Sequence, residues 1–431
     1  MLELAPTETT TPDLIRRLTG GGPRRIAESA GVVISHGRGA WLYDEAGKGY
    51  LDFTTAMGVA GFGHAHPRWV AAVSRQAERM AACILHTREH GELLAGLAGL
   101  LPTGLERTAL YSGGTEAVEV AVRLAQSVTG RRHLVSFAGG FHGKTAGTRF
   151  TGHRYPGERD WLGIDWVHDT TYPLCRDHDA VSYPDCDATG AGALAELDLV
   201  AAGLDGGVAA VIVEPVLGTA GNRPPERRFL AALADLCARR GWLLVMDENI
   251  TGCGRLGAPF AADYFGVQPD ILVWGKAMGG GFPLSAVAAR SELWDASLFA
   301  EPSATSSSYG ANPVACAAGL AVCEILAEEG FLENVRAVAH RLAAGLREIE
   351  AASPYIAHTR GAGLMLGFDW IDPASGELAG SELCGRLFRR CMEHGLLVVG
   401  DVPGVRLNPP MVLSPEEADQ ALEALAAAAC H

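Results

Sequence analysis

The sequence lacks the features that would tie it to a membrane or a nucleic acid. No apolar run approaches the roughly 20 residues that span a bilayer. The opening segment, MLELAPTETTTPDL, has no basic stretch followed by an apolar one, so no secretory signal is predicted. A net charge of −15 argues against nucleic acid, which favours a basic surface, and is mildly favourable to a cationic substrate.

The ten cysteines form no C-x-x-C pair and no paired zinc spacing. In a chain of 431 residues they are typical of reduced thiols in a cytoplasmic protein. Cys175, His178 and Cys186 share one polar loop, but their spacing matches no common zinc pattern. We therefore interpret that segment as a solvated loop and predict no metal site.

Short apolar runs alternate with helical patterns between about residues 70 and 325. The predicted strands are TALYS, HLVSF, VAAVIVE, WLLVM, DILVW and SAVAA, and residues 115–127 form one of the helices between them. This alternation predicts an α/β fold with a mostly parallel central sheet covered by helices. The segment GAWLYDEAGKGYLDF predicts a β-hairpin that turns at residues 45–49.

The expected organisation is a loose tail at residues 1–12 and a large domain at 70–325. Residues 13–69 and 326–431 are expected to form a smaller α+β domain from both chain ends. Within the second of these ranges, LMLGFDW and GLLVVG are predicted strands, and SPEEADQALEALAAAA is a predicted C-terminal helix.

Chemically useful residues follow several of the predicted strands. Because ligands bind beyond the carboxyl ends of parallel strands, these residues are expected to meet at one edge of the sheet. They are a glycine turn that opens a helix, an aromatic residue, two acids and a lysine: Gly113, Gly114, Thr115, Phe141, Glu214, Asp247 and Lys276.

Each of these residues, taken alone, also has a common structural explanation. Gly113–Thr115 before a helix is typical of a phosphate site, although many strand–helix turns look alike. Asp247 is either a helix cap, half of a buried ion pair, or the partner of a cationic ring nitrogen. Lys276 is either a surface lysine or an amine that forms a Schiff base.

Together, these residues are the parts that a pyridoxal 5′-phosphate site requires. The glycine turn would hold the phosphate, and Phe141 would stack on the ring. Asp247 would keep the ring nitrogen protonated, so that the ring acts as an electron sink. Lys276 would carry the aldehyde and later move protons.

Two nucleotide-binding alternatives are weaker. Gly252, Gly254 and Gly257 spell G-x-G-x-x-G, but DENIT separates them from the preceding strand, whereas a dinucleotide fingerprint places its first glycine directly after the strand. A P-loop is also excluded, because Ala277 follows Lys276 where serine or threonine is needed. We interpret the three glycines as shaping a loop.

The chain resembles the class III aminotransferases, the fold-type I pyridoxal-phosphate group that includes ornithine and 4-aminobutyrate aminotransferases. The resemblance covers nearly the whole chain. Its nine segments, in order, are YLDFTTAMGVAGFGHAHP, SGGTEAVEVAVRLA, FHGKTAGT, VEPVLGTAG, MDENITGCGRLG, WGKAMGGGFPLSAV, SSSYGANPVACAAG, TRGAGLMLGF and VRLNPPM.

The resemblance implies a role for each matching position. Lys276 would be the Schiff-base lysine and Asp247 the ring-nitrogen acid. Ser308 stands where the family usually has a threonine that reaches the phosphate of the other subunit, which implies a homodimer with shared sites. Glu214 and Arg406 would form a switchable pair that admits a substrate carboxylate. The remaining cofactor contacts would come from Gly113, Gly114, Thr115, Phe141, His142, Glu214, Asn249 and Ile250, and substrate contacts from Met57, Lys144, Glu214 and Arg406.

Three of these positions depart from the family pattern. The family usually has valine and glutamine where this chain has Asn249 and Ile250. Isoleucine cannot supply the hydrogen bond that the glutamine gives to the phenolic oxygen of the cofactor. Lys144 replaces an arginine that often grips a carboxylate bidentately, and a lysine offers only a point charge.

The expected activity is amino-group transfer from a primary amine distal to any carboxylate to a keto acid or aldehyde. The departures favour an amino sugar or aminoglycoside-like donor, as in antibiotic biosynthesis. An amine epimerase or aminomutase on the same scaffold stays open, and a non-catalytic relative or a Rossmann dehydrogenase is disfavoured. No nucleic acid or membrane partner is expected, and the expected location is the cytoplasm.

Overall fold

A computed structural model describes residues 10–21, 24–145, 147–148, 163–175, 180, 183, 186–296 and 298–430. The helices are α1 (Thr11–Leu18), α2 (Arg25–Ala30), α3 (Thr55–Gly58), α4 (Pro67–Ala77), α5 (Arg88–Ala98), α6 (Gly114–Thr129), α7 (Ala191–Ala202), α8 (Phe229–Arg240), α9 (Ala261–Phe265), α10 (Ser291–Asp295), α11 (Pro313–Leu326), α12 (Phe331–Ala352), α13 (Ser381–Glu393) and α14 (Pro415–Ala429). The strands are β1 (Ile34–Arg38), β2 (Trp41–Asp44), β3 (Gly49–Asp52), β4 (Arg107–Tyr111), β5 (His133–Phe137), β6 (Val167–Thr170), β7 (Val208–Val213), β8 (Leu243–Asp247), β9 (Ile271–Trp274), β10 (Ser285–Ala289), β11 (Ile356–Ala362), β12 (Met365–Trp370), β13 (Leu396–Leu397) and β14 (Gly404–Leu407).

The central sheet has seven strands in the order β4-β10-β9-β8-β7-β5-β6. The neighbours from β6 to β9 pair in parallel, and β10 alone runs antiparallel to both of its neighbours. Every residue of β7, β8, β9 and β10 is buried, as expected for strands covered on both faces. The predicted α/β fold with a mostly parallel sheet is therefore confirmed, and each of its six predicted strand segments forms a strand.

Two smaller sheets flank this core. The first has the order β1-β2-β3-β13, so a strand from near residue 396 pairs in parallel with one from near residue 51. Its β2–β3 pair is the predicted hairpin. The second is antiparallel, with the order β11-β12-β14. Strand pairing thus joins the two ends of the chain, while the exact domain boundaries stay a prediction.

The first described helix begins within the range predicted as a loose tail. Helix α1 begins at Thr11, because the Thr10 side chain accepts the backbone N–H of Asp13 and caps the first turn. Residues 1–9 lie outside the described residues. The segment GLLVVG also differs from its prediction, since only Leu396 and Leu397 pair as a strand.

Helix α6 carries the glycine turn to the central sheet. One face of the helix, including Val118, Ala121 and Ala125, packs into an apolar cluster beneath the strands. Gly130 ends the helix in the left-handed conformation at φ 64°. The packed face and the glycine stop fix the direction of the helix, so its N-terminus lies at the strand ends. None of the described helices is long and apolar enough to cross a membrane.

Candidate active site

Lys276 leaves β9 in a tight turn at the carboxyl edge of the sheet. Its backbone is left-handed at φ 47°, an unusual conformation for a residue with a side chain. Burial lowers the pKa of its amine to about 8; Glu214 and Asp247 oppose the shift, and Arg406 adds to it. The charges of Glu214, Asp247 and Arg406, which the sequence predicts at the same site, therefore all act on this amine.

The chain contains only two other lysines, Lys48 and Lys144. Lys48 lies in the exposed turn of the β2–β3 hairpin, and Lys144 is exposed in the loop after β5. Neither amine is buried. Lys276 is thus the one lysine in the chain that is not exposed, and its burial shifts the pKa of the amine toward neutral pH.

Asp247 ends β8 with both carboxylate oxygens occupied by N–H donors. The backbone N–H of Asn249 and its side-chain Nδ2 lie 3.1 and 2.7 Å from Oδ1. His142 Nδ1 lies 2.7 Å from Oδ2, and both side chains are buried. Burial opposes the charged form of His142, but the hydrogen bond and charge of Asp247 offset it and raise the histidine pKa.

Glu214 lies beyond the end of β7 and is held by the backbone. Phe141 N–H donates to its Oε1 at 2.7 Å, and Gly218 N–H donates to its Oε2 at 3.1 Å. Burial raises its pKa to about 7, although His142 and these two N–H groups oppose the shift. The carboxyl group can therefore exchange its proton near neutral pH.

The glycine turn and the loop after β5 pack together tightly. Among the described residues no side chain caps α6 at Gly113, so the N-terminal N–H groups are left for a ligand. A Cβ at Gly143 would collide with Thr148 and lie 2.7 Å from the Oγ1 of Thr115. Only glycine at 143 lets the loop that carries Phe141 and His142 approach the turn this closely.

Met57 belongs to a left-handed turn in α3. Thr55, Ala56 and Met57 have φ of 42°, 50° and 65°, which costs about 1–2 kcal/mol per residue for side chains other than glycine. The turn brings the Met57 sulfur to 3.5 Å from Arg406 Nη2. It also places Gly58 so that a Cβ there would lie 3.7 Å from Lys276 Cδ.

The buried carboxylate of Asp52 stabilises this strained turn. Its Oδ1 accepts the Thr54 N–H at 2.9 Å, the Thr54 hydroxyl at 2.6 Å and the Thr55 N–H at 3.0 Å. The other oxygen lies 2.9 Å from His64 Nε2. Thr55 in turn donates its hydroxyl to the Asn408 carbonyl at 2.9 Å. The turn is thus fixed by hydrogen bonds from the nearby Asp52 carboxylate and the distant Asn408 carbonyl, and not by its own conformational preference.

Asp52→Ala is expected to lower the free energy of unfolding by about 2–4 kcal/mol, since several buried donors lose their acceptor. KM for the amine should rise because Met57 and Gly58 are released. Asp44→Ala is the matched control: Asp44 accepts the N–H groups of Ala46 and Lys48 in a surface turn. Chemical unfolding and steady-state kinetics test both variants, and equal effects on KM would contradict the positioning role of Asp52.

The three departures from the family pattern, and Ser308 at the position of the usual threonine, occupy different places. Asn249 is part of the Asp247 network. Ile250 is buried, and its methyl groups lie where a Cβ at Gly58 or Gly218 would contact them. Ser308, like Lys144, is exposed, and it lies in the segment before α11. The structure thus groups Asn249 and Ile250 with Lys276, whereas Lys144 and Ser308 lie on the surface of the single chain.

The G-x-G-x-x-G glycines do not form a phosphate turn. The next helix, α9, begins only at Ala261, and its N-terminus is occupied by Glu248. The Glu248 carboxylate accepts the N–H groups of Ala261 and Ala262 at 2.5 and 2.8 Å. Arg255, within the glycine loop, is fully buried and donates to the Pro409 carbonyl. The loop is a packing element, as the sequence indicated.

Glu119, which is not among the site residues predicted from the sequence, anchors the loop after β5. Its Oε1 lies 2.5 Å from the Thr145 hydroxyl and accepts the Gly147 N–H at 3.0 Å. The available signal was spacing: Glu119 lies four residues after Thr115, on the same helix face.

Among the described residues no group of three potential metal ligands occurs. Cys175 and Cys186 have sulfurs 3.8 Å apart, and His178 lies outside the described residues.

These residues fit pyridoxal 5′-phosphate. The uncapped helix N-terminus suits a phosphate, and the Asp247 carboxylate, which faces only N–H donors, suits a protonated ring nitrogen. A lysine with a lowered pKa suits a covalent bond to an aldehyde. One buried polar atom has no partner among the described residues of this network, the Oδ1 of Asn249, so the network is incomplete in the protein alone.

Comparisons with known proteins agree with this geometry. Residues 24–429 match the family model described as aminotransferase class-III. Acetylornithine aminotransferase 1 of Bordetella pertussis is 35% identical over 402 residues, covering 91% of this chain and 94% of that protein. The 5-aminovalerate aminotransferase DavT of Pseudomonas aeruginosa is 33% identical over 399 residues, covering 90% and 91%.

Solved structures show the same fold. A thermostable (S)-enantioselective omega-transaminase from Thermomicrobium roseum superposes with a TM-score of 0.83 at 30% identity, covering 99% of this chain and 95% of that one. An amine transaminase from an uncultivated Pseudomonas species, solved with PLP bound, gives a TM-score of 0.83 at 27% identity, covering 92% and 94%. The chain is therefore a fold-type I enzyme that uses pyridoxal 5′-phosphate, and it belongs to the class III aminotransferases.

Proposed function

We propose that Lys276 binds the cofactor covalently and moves the proton during amino transfer, with Asp247 as the partner of the ring nitrogen. The observation that carries this proposal is the position of Lys276 at the carboxyl edge of the sheet, where its amine feels the charges of Glu214 and Asp247; it is the one lysine of the chain that is not exposed. When bound, pyridoxal 5′-phosphate supplies an electron sink for the carbon that loses a proton. The Lys276 amine supplies the base that removes this proton, since its pKa of about 8 lies close to neutral pH.

The remaining predicted residues position cofactor and substrate. Gly113, Gly114 and Thr115 hold the phosphate at the N-terminus of α6, where N–H groups and the helix dipole favour an anion. Phe141 covers one face of the ring, and its backbone N–H ties it to Glu214. His142 holds the Asp247 carboxylate from the side opposite Asn249.

Arg406 and Glu214 are proposed to select between substrates with and without a carboxylate. Both charges act on the Lys276 amine, so both groups lie near the point of reaction. Arg406 binds a substrate carboxylate when one is present. Glu214 has a pKa raised to about 7, so it can become neutral beside an uncharged substrate at little cost.

The proposed donor is a primary amine distal to any carboxylate, and the acceptor is a keto acid or an aldehyde. The names of two relatives support this class of donor, since one acts on acetylornithine and the other on 5-aminovalerate. Within this class we propose a bulky polar amine such as an amino sugar or aminoglycoside-like compound of specialised metabolism. Ile250 lacks the amide that usually donates a hydrogen bond to the phenolic oxygen of the cofactor. Lys144 binds a dicarboxylate acceptor more weakly than the usual arginine, because it cannot make a bidentate contact.

The proposed assembly is a homodimer with active sites at the subunit interface. Ser308 is exposed in the single chain, as required of a residue that reaches a partner's phosphate site. Ile84 is 101% exposed and Leu85 is 74% exposed, and such apolar side chains favour burial in an interface. The proposed location is the cytoplasm, because all ten cysteines have free thiols.

The proposed preference predicts an order of donors. Low kcat/KM is expected for 4-aminobutyrate and ornithine, and a higher value for an amino sugar with several amines. The physical reason is the loss of one hydrogen bond to the cofactor, worth about 1–3 kcal/mol, together with the weaker carboxylate contact at Lys144. Initial rates with a fixed acceptor measure the order, with N-acetylornithine and 5-aminovalerate included as reference donors.

The reverse order would contradict the preference but not the activity. If any amino acid donor is best by about tenfold or more, the three departures do not specialise the site. An incubation with the amine alone, in D₂O, then separates reaction types. Amino transfer converts the cofactor to its amine form without an acceptor, whereas an epimerase inverts the donor with deuterium uptake and leaves the cofactor unchanged.

A further inference from the structure

The side chain of Asn249 makes a hydrogen bond that the residue usual at this position in the family cannot make. The residue usual at this position is valine, which has no polar side-chain atoms. Here the side-chain Nδ2 lies 2.7 Å from Asp247 Oδ1, next to the backbone N–H of the same residue at 3.1 Å. One residue therefore supplies two of the three donors that hold the carboxylate.

The orientation of the Asn249 amide follows from chemistry. A carboxylate accepts hydrogen bonds only, so the NH₂ group and not the oxygen must face Asp247. The amide oxygen then points away from Asp247, and among the described residues this buried atom has no hydrogen-bond partner. A buried acceptor without a partner destabilises a protein, so the contact with Asp247 is maintained at a cost to stability.

Two glycines make room for this side chain. A Cβ at Gly114, the first residue of α6, would collide with the Asn249 oxygen, and a Cβ at Gly275 would lie 2.7 Å from it. Gly114 belongs to the phosphate turn, and Gly275 precedes Lys276. The side chain therefore lies between the predicted phosphate turn and the lysine predicted to bind the cofactor covalently. Its amide has little room to rotate there.

We propose that Asn249 is a positioning residue that fixes the plane of the Asp247 carboxylate toward the ring nitrogen of the cofactor. Two donors from Asn249 occupy Oδ1, whereas Oδ2 has, within the described part of the chain, only His142 as a partner, so Oδ2 is the oxygen that would keep an acceptor position for the ring N–H. Without the side-chain amide, the carboxylate can rotate about its Cβ–Cγ bond. Its two oxygens then no longer keep fixed positions toward the ring nitrogen. This inference rests on the proposed role of Asp247.

The test compares Asn249→Val with Asn249→Asp. Valine removes both polar atoms, and aspartate keeps the size of the side chain but replaces the donor with an acceptor that repels Asp247. Each variant is reconstituted with pyridoxal 5′-phosphate labelled with ¹⁵N in its ring and studied by solid-state NMR. The ¹⁵N resonance is expected to move toward that of an unprotonated pyridine in Asn249→Val, whereas the added carboxylate of Asn249→Asp should offset this movement because its negative charge also favours a protonated ring nitrogen.

The kinetic and thermal measurements separate positioning from packing. In Asn249→Val, kcat should fall about tenfold, since Asp247 loses one hydrogen bond. KM for the amine should stay within about twofold, because this hydrogen bond lies away from the part of the substrate that does not react. The Tm of the apo-protein should be at least that of the wild type, because the unpartnered oxygen is gone. A wild-type ¹⁵N resonance with wild-type kcat in Asn249→Val would overturn the proposal.

Asp247→Asn serves as the reference that keeps the two hypotheses distinct. If Asp247→Asn is inactive and Asn249→Val behaves like the wild type, Asp247 keeps its role and only the positioning by Asn249 is wrong. If Asp247→Asn itself retains wild-type turnover and ¹⁵N resonance, the proposed role of Asp247 is wrong as well. If Asn249→Val fails to fold, Asn249→Ser, which removes the amide and leaves space, gives the same readouts.

Discussion

Lys276→Ala is expected to lose the covalent cofactor and to lower kcat by about 10⁴-fold or more, since one side chain serves as both nucleophile and proton carrier. The loss follows from the environment of this amine. Burial brings its pKa to about 8 from an ordinary value near 10.5, so roughly a tenth of the amine is neutral at pH 7, against well under 1% for a lysine of ordinary pKa. Neither Lys48 nor Lys144 lies in such an environment.

The small number of lysines makes this prediction easy to check. Borohydride reduction of the holoenzyme followed by peptide mapping should place the label on Lys276, with only Lys48 and Lys144 as competing side chains. Lys48→Ala is the matched control and should keep full labelling and turnover. A label on Lys144 or Lys48 in the wild type would remove Lys276 from the mechanism.

The pH dependence of cofactor uptake gives a second readout for Lys276. Only the neutral amine attacks an aldehyde, and a lowered pKa means that the neutral form dominates above about pH 8. The rate at which the apo-protein takes up the cofactor should therefore rise with pH up to about 8 and then level off. A rate that continues to rise to pH 10 would indicate an ordinary lysine.

Much of the fold was predictable because the strands are short, apolar and bounded by glycines and polar residues. Strands buried on both faces give continuous runs such as WLLVM and DILVW, and these runs became β8 and β9. Strand β6 was not predicted. Its sequence, VHDT, lies at the sheet edge and carries three polar residues, so it has no apolar run to detect.

The candidate site was partly predictable for a related reason. Residues at the ends of parallel strands meet without any need to know side-chain geometry, which is why Glu214, Asp247 and Lys276 could be grouped from the sequence. The left-handed turn at Met57 was not predictable. It depends on the Asp52 carboxylate and on the Asn408 carbonyl, which is distant in the chain.

The orientation of Asn249 shows the same limit. The sequence indicates that an amide replaces an apolar side chain, and the expectation was a contact with cofactor or substrate. The structure directs the amide N–H to Asp247 and leaves the oxygen buried near Gly114 and Gly275. The contact with the cofactor stays a prediction. The sequence did not indicate the contact with Asp247, which arises because the backbone N–H of Asn249 binds the same carboxylate and brings the side chain within reach.

Asp247→Asn is expected to lower kcat by on the order of 10³-fold or more, as for other preorganised charges lost from active sites. A neutral amide cannot balance the positive charge of a protonated ring nitrogen, so the electron sink is weakened at the step that removes the proton. The fold should persist. The asparagine oxygen can still accept the two N–H groups of Asn249, although His142 loses a charged partner, at a cost of about 1–3 kcal/mol.

Glu248→Gln is the matched control, because Glu248 is the next residue in the chain and is also buried. Burial raises its pKa to about 7, and its carboxylate accepts the N–H groups at the start of α9 without reaching Lys276. This variant should lose stability in chemical unfolding but keep kcat within about threefold of the wild type, since one acceptor oxygen remains. Single-turnover kinetics of both variants with a saturating amine measure the step directly. Near wild-type rates in Asp247→Asn, or an equal loss in Glu248→Gln, would show that the charge of Asp247 does not stabilise the reacting ring.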